Sequence, residues 1–178
     1  PNAILVSSWF QVERLSTDFA LPPTRMRWVD DGESFDAGDR VFTAIRPPVY
    51  DSPTTRGLFD SKTGVYWASD CFATPVGVNV DDVSALHPEE WRQGFNLFQT
   101  ALSPWLQVAD AVKFNQTVHR LAKLDIKAIG TAHGPAVIGD SVASAIDFLY
   151  DLPFQPAPQL PGQPVLDEII AMISGQQA

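Results

Sequence analysis

The feature that most constrains this chain is a pair of apolar runs, each ending on a side chain able to hold a metal. The first leads from Arg46-Pro47-Pro48-Val49-Tyr50-Asp51-Ser52-Pro53 to Val65-Tyr66-Trp67-Ala68-Ser69-Asp70-Cys71-Phe72 and carries Asp70. The second ends as Gly130-Thr131-Ala132-His133-Gly134-Pro135 and carries His133. Val65 to Ser69 is rich in β-favouring side chains, and Ile126, Ala128 and Ile129 form a short apolar run, so each reads as a strand. A carboxylate at a strand end can coordinate one metal or bridge two, and neutral imidazole is the commonest metal ligand. Each residue also has a plain structural reading. Aspartates at strand ends commonly cap helices or close turns, and a lone histidine is commonly packed or solvated.

Composition narrows the class. The chain has 178 residues, room for one domain or a large piece of one, and 45% are apolar, enough for a packed core. The formal charge of −9 and the absence of a basic cluster oppose binding to a phosphate backbone, so nucleic acid is not expected as a partner. No apolar run of about 18 residues exists, so no membrane span is expected. The opening Pro1-Asn2-Ala3-Ile4-Leu5-Val6 has no basic leader and starts on a strand-like run, which suggests a chain beginning inside a domain. The single cysteine, Cys71, excludes an internal disulfide and suits a reduced, cytoplasmic setting.

Along the chain, Ala3 to Val6 predicts a buried strand and Trp9 to Phe19 a short helix stopped by Pro22-Pro23. Met26 to Val29 and Val41 to Ile45 predict strands separated by the turn signals Asp30-Asp31-Gly32 and Ala37-Gly38-Asp39, giving successive antiparallel strands. Pro47-Pro48 ends that stretch, and Ser61-Lys62-Thr63-Gly64 predicts a hairpin turn before Val65. Pro88-Glu89-Glu90-Trp91 predicts a helix start, with Trp91, Phe95 and Phe98 at helical spacing. A longer helix is expected from Pro104 to about Leu124, its apolar face set by Trp105, Val108, Ala109, Val112, Val118, Leu121 and Ala122. Another is expected from about Ser141 to Tyr150. Five prolines between 153 and 164 predict an extended linker before a last amphipathic piece, Val165 to Ile173. The expected division is therefore 1–152, linker 153–164 and a terminal helix within 165–178.

Other chemistry is poorly represented. His87 precedes a helix start, and His119 falls on the long helix, where packing or solvation explains it. Cys71 could be a soft ligand or redox thiol, but a small buried residue is the simpler reading. Ser52 and Ser69 lack a nucleophile-elbow motif, and no glycine-rich phosphate loop is present.

Taken together, the two segments resemble the second half of a metallo-β-lactamase-fold domain of the flavodiiron and oxygen-binding diiron type. The likeness runs from Pro1 to about Leu152. Ser69-Asp70-Cys71-Phe72 matches the family's Ser-Asp-x-Phe context, in which the Asp bridges two metals. His133-Gly134-Pro135 matches its closing His-Gly-Pro. The family's His-x-Glu-x-Asp-His motif, which would stand before Pro1, is not in this sequence, and Arg46 stands roughly where the family usually has a further His. Arginine stays protonated and does not ligate metal, so Arg46 is expected to contact an anionic substrate or pair with an acid such as Asp51.

The resemblance implies an α/β chain of α+β type, an αββα sandwich without its N-terminal half. It implies a metal-dependent oxidoreductase acting on dioxygen or nitric oxide, with Asp70 and His133 as metal ligands. The cofactor would be two metal ions, iron in preference to zinc, or none in this chain alone. Partners would be a small-molecule substrate, a separate electron donor, and a second copy or partner half-domain. A zinc-dependent hydrolase of the same fold and a metal-free binding module are the alternatives. No flavin or rubredoxin centre is expected within the chain.

Overall fold

The computed structural model describes residues 2–175. In chain order its elements are β1 (Leu5–Ser7), α1 (Trp9–Leu15), β2 (Met26–Trp28), β3 (Ser34–Asp36), β4 (Val41–Ile45), β5 (Gly57–Asp60), β6 (Val65–Trp67), α2 (Pro88–Leu102), α3 (Ala111–Ala122), β7 (Ala128–Gly130), β8 (Val137–Ile138), α4 (Ser141–Asp151) and α5 (Gln163–Gly175). The strands β3 to β8 form one six-stranded sheet in sequence order. All its neighbours are antiparallel except β6 and β7, which run parallel. A parallel pair needs a long crossover, and α2 and α3 supply it.

Side chains alternate between the two faces, and residues paired across strands share a face. Phe59 pairs with Tyr66, Tyr66 with Ile129, and Ile129 with Val137. All four are buried in one core with Trp91 and Phe95 of α2, Phe114, Val118 and Leu121 of α3, and Val142, Ala145 and Leu149 of α4. The helices therefore cover this face. The Tyr66 hydroxyl lies inside that core with no hydrogen-bond partner among the described residues, and burial holds its pKa well above the ordinary phenol value.

The other face stays open. Val65, Trp67 and Ile138 point the other way and are 43–50% exposed. Ala128 pairs with both Val65 and Ile138, so these side chains form one apolar patch.

The β5–β6 turn closes as its residues dictate. Gly64 takes φ +73°, a left-handed conformation, and a Cβ there would lie 2.6 Å from the Lys127 side chain. The buried Asp60 accepts hydrogen bonds from the Lys62 backbone N–H, the Thr63 hydroxyl and Arg40.

Three sequence expectations are corrected. The strand at Met26 does not extend the antiparallel series. It pairs parallel with β1 in a separate two-stranded sheet, because α1 intervenes and returns the chain in the same direction. β1 is only half-buried, and Ile4 is exposed, so this run is not a core strand. The long helix from Pro104 is broken in two. A 3₁₀ turn spans Pro104–Val108, and α3 starts afresh because the Asp110 carboxylate caps the Val112 and Lys113 N–H groups. Val108 and Val112 consequently lie 87% and 68% exposed instead of on a buried face. His119 is exposed on α3.

The helix α5 carries Val165, Leu166, Ile169, Ile170, Met172 and Ile173, all exposed. No helix among the described residues is long and apolar enough to cross a membrane.

Candidate metal centre

The two parallel strands β6 and β7 end side by side, and their ends bring Asp70 and His133 together. The Ala68 N–H donates to Gly130 O and the Ala132 N–H to Ser69 O, which extends the pairing beyond the strands. The segment after β6 then turns sharply. Ser69 and Phe72 take positive φ of 55° and 68°, uncommon for residues with a Cβ. That geometry swings Asp70 across the strand end, where its Oδ1 lies 3.2 Å from His133 Nε2. The Ser69 hydroxyl donates to the other carboxylate oxygen, Oδ2, at 3.2 Å.

Each side chain has its own support. The Asp70 side chain is 19% exposed and that of His133 is 57% exposed, so the pair sits at the surface with the carboxylate inward. Gln99 of α2 is fully buried, and its Nε2 donates to Asp70 O and Ala73 O at 3.0 Å each. The Phe98 ring meets the His133 ring edge-on at 5.8 Å. Gly134 has φ +93°, and a Cβ there would lie 2.2 Å from the Thr74 carbonyl oxygen. Only glycine lets the two turns approach this closely. An open cavity of about 530 Å³ lies on this side, lined by Pro75, Val78, Phe98, His133 and Pro135 among others.

The remaining sequence candidates separate from this pair. Arg46 lines other cavities, with Asp31 and Arg120 on one side and Arg56 on another. Its expected pairing with Asp51 is not formed, since Asp51 accepts instead from the Thr55 hydroxyl. His87 is the residue before α2 and caps nothing through its side chain. Cys71 is buried, and desolvation pushes its thiol up to about 12, which keeps it protonated and unreactive. Sequence reasoning missed Gln99. Its spacing after Trp91 and Phe95 put an amide on an apolar helix face, a recognisable signal for a buried group tying down backbone.

Two donors do not make a metal centre by themselves. Among the described residues no three His, Cys, Asp or Glu side chains gather to hold an ion. A protein-bound metal commonly takes three or four protein ligands, so this chain alone does not fit a two-metal site.

Comparison with known proteins places the fold. No family model and no curated protein matches the chain. Solved structures do. The flavodiiron protein from Giardia intestinalis superposes with a TM-score of 0.70 at 19% identity, over 85% of this chain and 36% of its own. Rubredoxin oxygen:oxidoreductase from Desulfovibrio gigas gives 0.67 at 15% identity, over 84% and 37%. The chemotaxis sensor ODP, solved as a peroxy diiron species, gives 0.62 at 19% identity, over 83% and 60%. The chain thus has the metallo-β-lactamase-like fold of the flavodiiron structures, matched over part of it. It spans little more than a third of the length of the first two.

Proposed function

We propose that this chain is part of a metal-dependent oxidoreductase of the diiron type, acting on dioxygen or nitric oxide, with Asp70 and His133 among its metal ligands. The observation that carries this reading is the convergence of Asp70 Oδ1 and His133 Nε2 to 3.2 Å at adjacent strand ends, in a fold shared with diiron structures. The further ligands would come from protein outside the described residues. The open sheet face around Trp67 and Val65 suits that reading, since a second layer laid on it would complete a sandwich and bring new side chains toward the strand ends. A separate donor would deliver the electrons, and a second copy or a partner half-domain would supply the cover. Residues 1–152 would form the domain portion, and a linker from residue 153 would lead into the terminal helix α5. The single thiol, Cys71, suits a reducing compartment, and the cytoplasm is the proposed location.

Elemental analysis of the protein, purified without added metal and with its natural flanking sequence, tests the reading. About two irons per chain are expected, following the diiron neighbours and a donor set of carboxylate and imidazole. Stoichiometric zinc would replace it with a hydrolase. No metal after reconstitution would replace it with a binding module.

A further inference from the structure

Away from Asp70 and His133, the fold brings two arginines together beside one exposed carboxylate, Asp30, whose charge faces both. Arg46 follows β4 and Arg56 precedes β5, and both line a cavity of about 450 Å³ with Ser8, Trp9, Trp28 and Asp30. Each has its Nε buried with no hydrogen-bond partner among the described residues. Buried donors are nearly always satisfied, and an orphan in a native fold points to an unassigned partner. Both orphaned donors belong to residues that line one cavity.

The local charge does not resolve it. Arg56 donates through Nη1 to Pro53 O and Thr55 O, and its Nη2 reaches Asp30 Oδ1 only at 3.5 Å. The Asp30 side chain is 79% exposed and that carboxylate oxygen also accepts the Asp31 N–H, so it neutralises Arg56 weakly. Glu33, on the same cavity, spends its Oε2 on the Asp30 N–H. Arg46 has no ion pair among the described residues: the Asp31 carboxylate beside it accepts from its backbone N–H, not from its guanidinium. Burial and the charge of Arg46 pull the Arg56 pKa below the ordinary arginine value, against the opposing pull of the Asp30 and Asp31 carboxylates. Arginine remains charged regardless, so the two cations repel each other in a site of reduced dielectric.

We propose that Arg46 and Arg56 form a binding site for a small molecule bearing a carboxylate or phosphate, seated in the cavity walled by Trp9, Phe10 and Trp28. Guanidinium groups match both anions in shape and charge, and a single oxyanion between them would relieve their repulsion. The cavity is larger than a bare ion needs and lies within the usual size range for small-ligand pockets. The aromatic rings would take a flat, apolar body attached to the anion. The site stands apart from the Asp70–His133 pair and needs no metal.

Isothermal titration of the protein with phenyl phosphate, benzoate and inorganic phosphate tests this, with and without bound metal. Saturable binding of one equivalent is expected for phenyl phosphate or benzoate, tighter than for inorganic phosphate. Arg46→Gln and Arg56→Gln should each weaken it by about ten- to a hundredfold, the worth of a charged hydrogen bond. Arg46→Lys, which keeps the charge and the fold, should weaken it less, and Arg120→Gln, outside this cavity, should not change it. Absence of saturable binding for all three probes would overturn the proposal. So would binding that survives Arg46→Gln in a folded variant. A gain in stability for Arg46→Gln with no probe bound by the wild type would also overturn it, assigning the arginines to a carboxylate of a covering protein segment.

Discussion

Replacing Gly134 by alanine should destabilise the fold by about 3–5 kcal/mol, combining a left-handed backbone with severe overpacking. The position has φ +93°, and its new Cβ would lie 2.2 Å from the Thr74 carbonyl oxygen. That oxygen is backbone, so relief requires one turn to move. The turn that moves carries His133, and the 3.2 Å approach to Asp70 would open with it. Gly139 gives the matched control. It is also left-handed, at φ +59°, but a Cβ there meets nothing within 4 Å. Gly139→Ala should cost only about 1–2 kcal/mol, the conformational part alone. Urea unfolding of the two variants separates the effects. Equal losses would contradict the view that close approach of the Thr74 and His133 turns builds the site.

Gln99→Leu should cost about 1–2 kcal/mol, although it replaces a polar side chain by an apolar one in a core. The Gln99 amide is fully buried and satisfies the carbonyls of Asp70 and Ala73. Asp70 O keeps a second donor, the Ala73 N–H, so Ala73 O bears most of the loss. An unsatisfied buried acceptor costs about 1–3 kcal/mol. Gln99 Oε1 itself has no partner among the described residues, and its removal offsets part of the penalty. Thermal unfolding measures the net. A variant more stable than wild type would show that the carbonyls find other donors, and that Gln99 does not hold the Asp70 turn.

The strand ends were legible because β6 is β-branched and aromatic, β7 follows a short apolar run around Ile129, and both are stopped by turns. Asp70 and His133 follow directly from that pattern, and the structure brings them together. The meeting itself depends on the β6–β7 parallel pairing, which no local pattern encodes. The helix α2 was legible from Pro88 and its apolar spacing, and it spans Pro88–Leu102. Its neighbour was misread because the apolar spacing appeared to continue through Asp110, while the capping preference of that carboxylate decided the outcome. β1 and β2 were misplaced because runs of three or four residues do not specify their partners. The contact of Gly134 with Thr74 and the shared cavity of Arg46 and Arg56 are tertiary facts, invisible until the turns are packed.

Asp70 and His133 are the ligands on which the proposed metal chemistry depends. The most direct measurement is the metal content of the natural protein beside its Asp70→Ala and His133→Ala variants, each checked for a native circular dichroism spectrum. The wild type should hold iron, and each folded variant should lose most of it. Metal retained at the wild-type level in either folded variant would contradict the assignment.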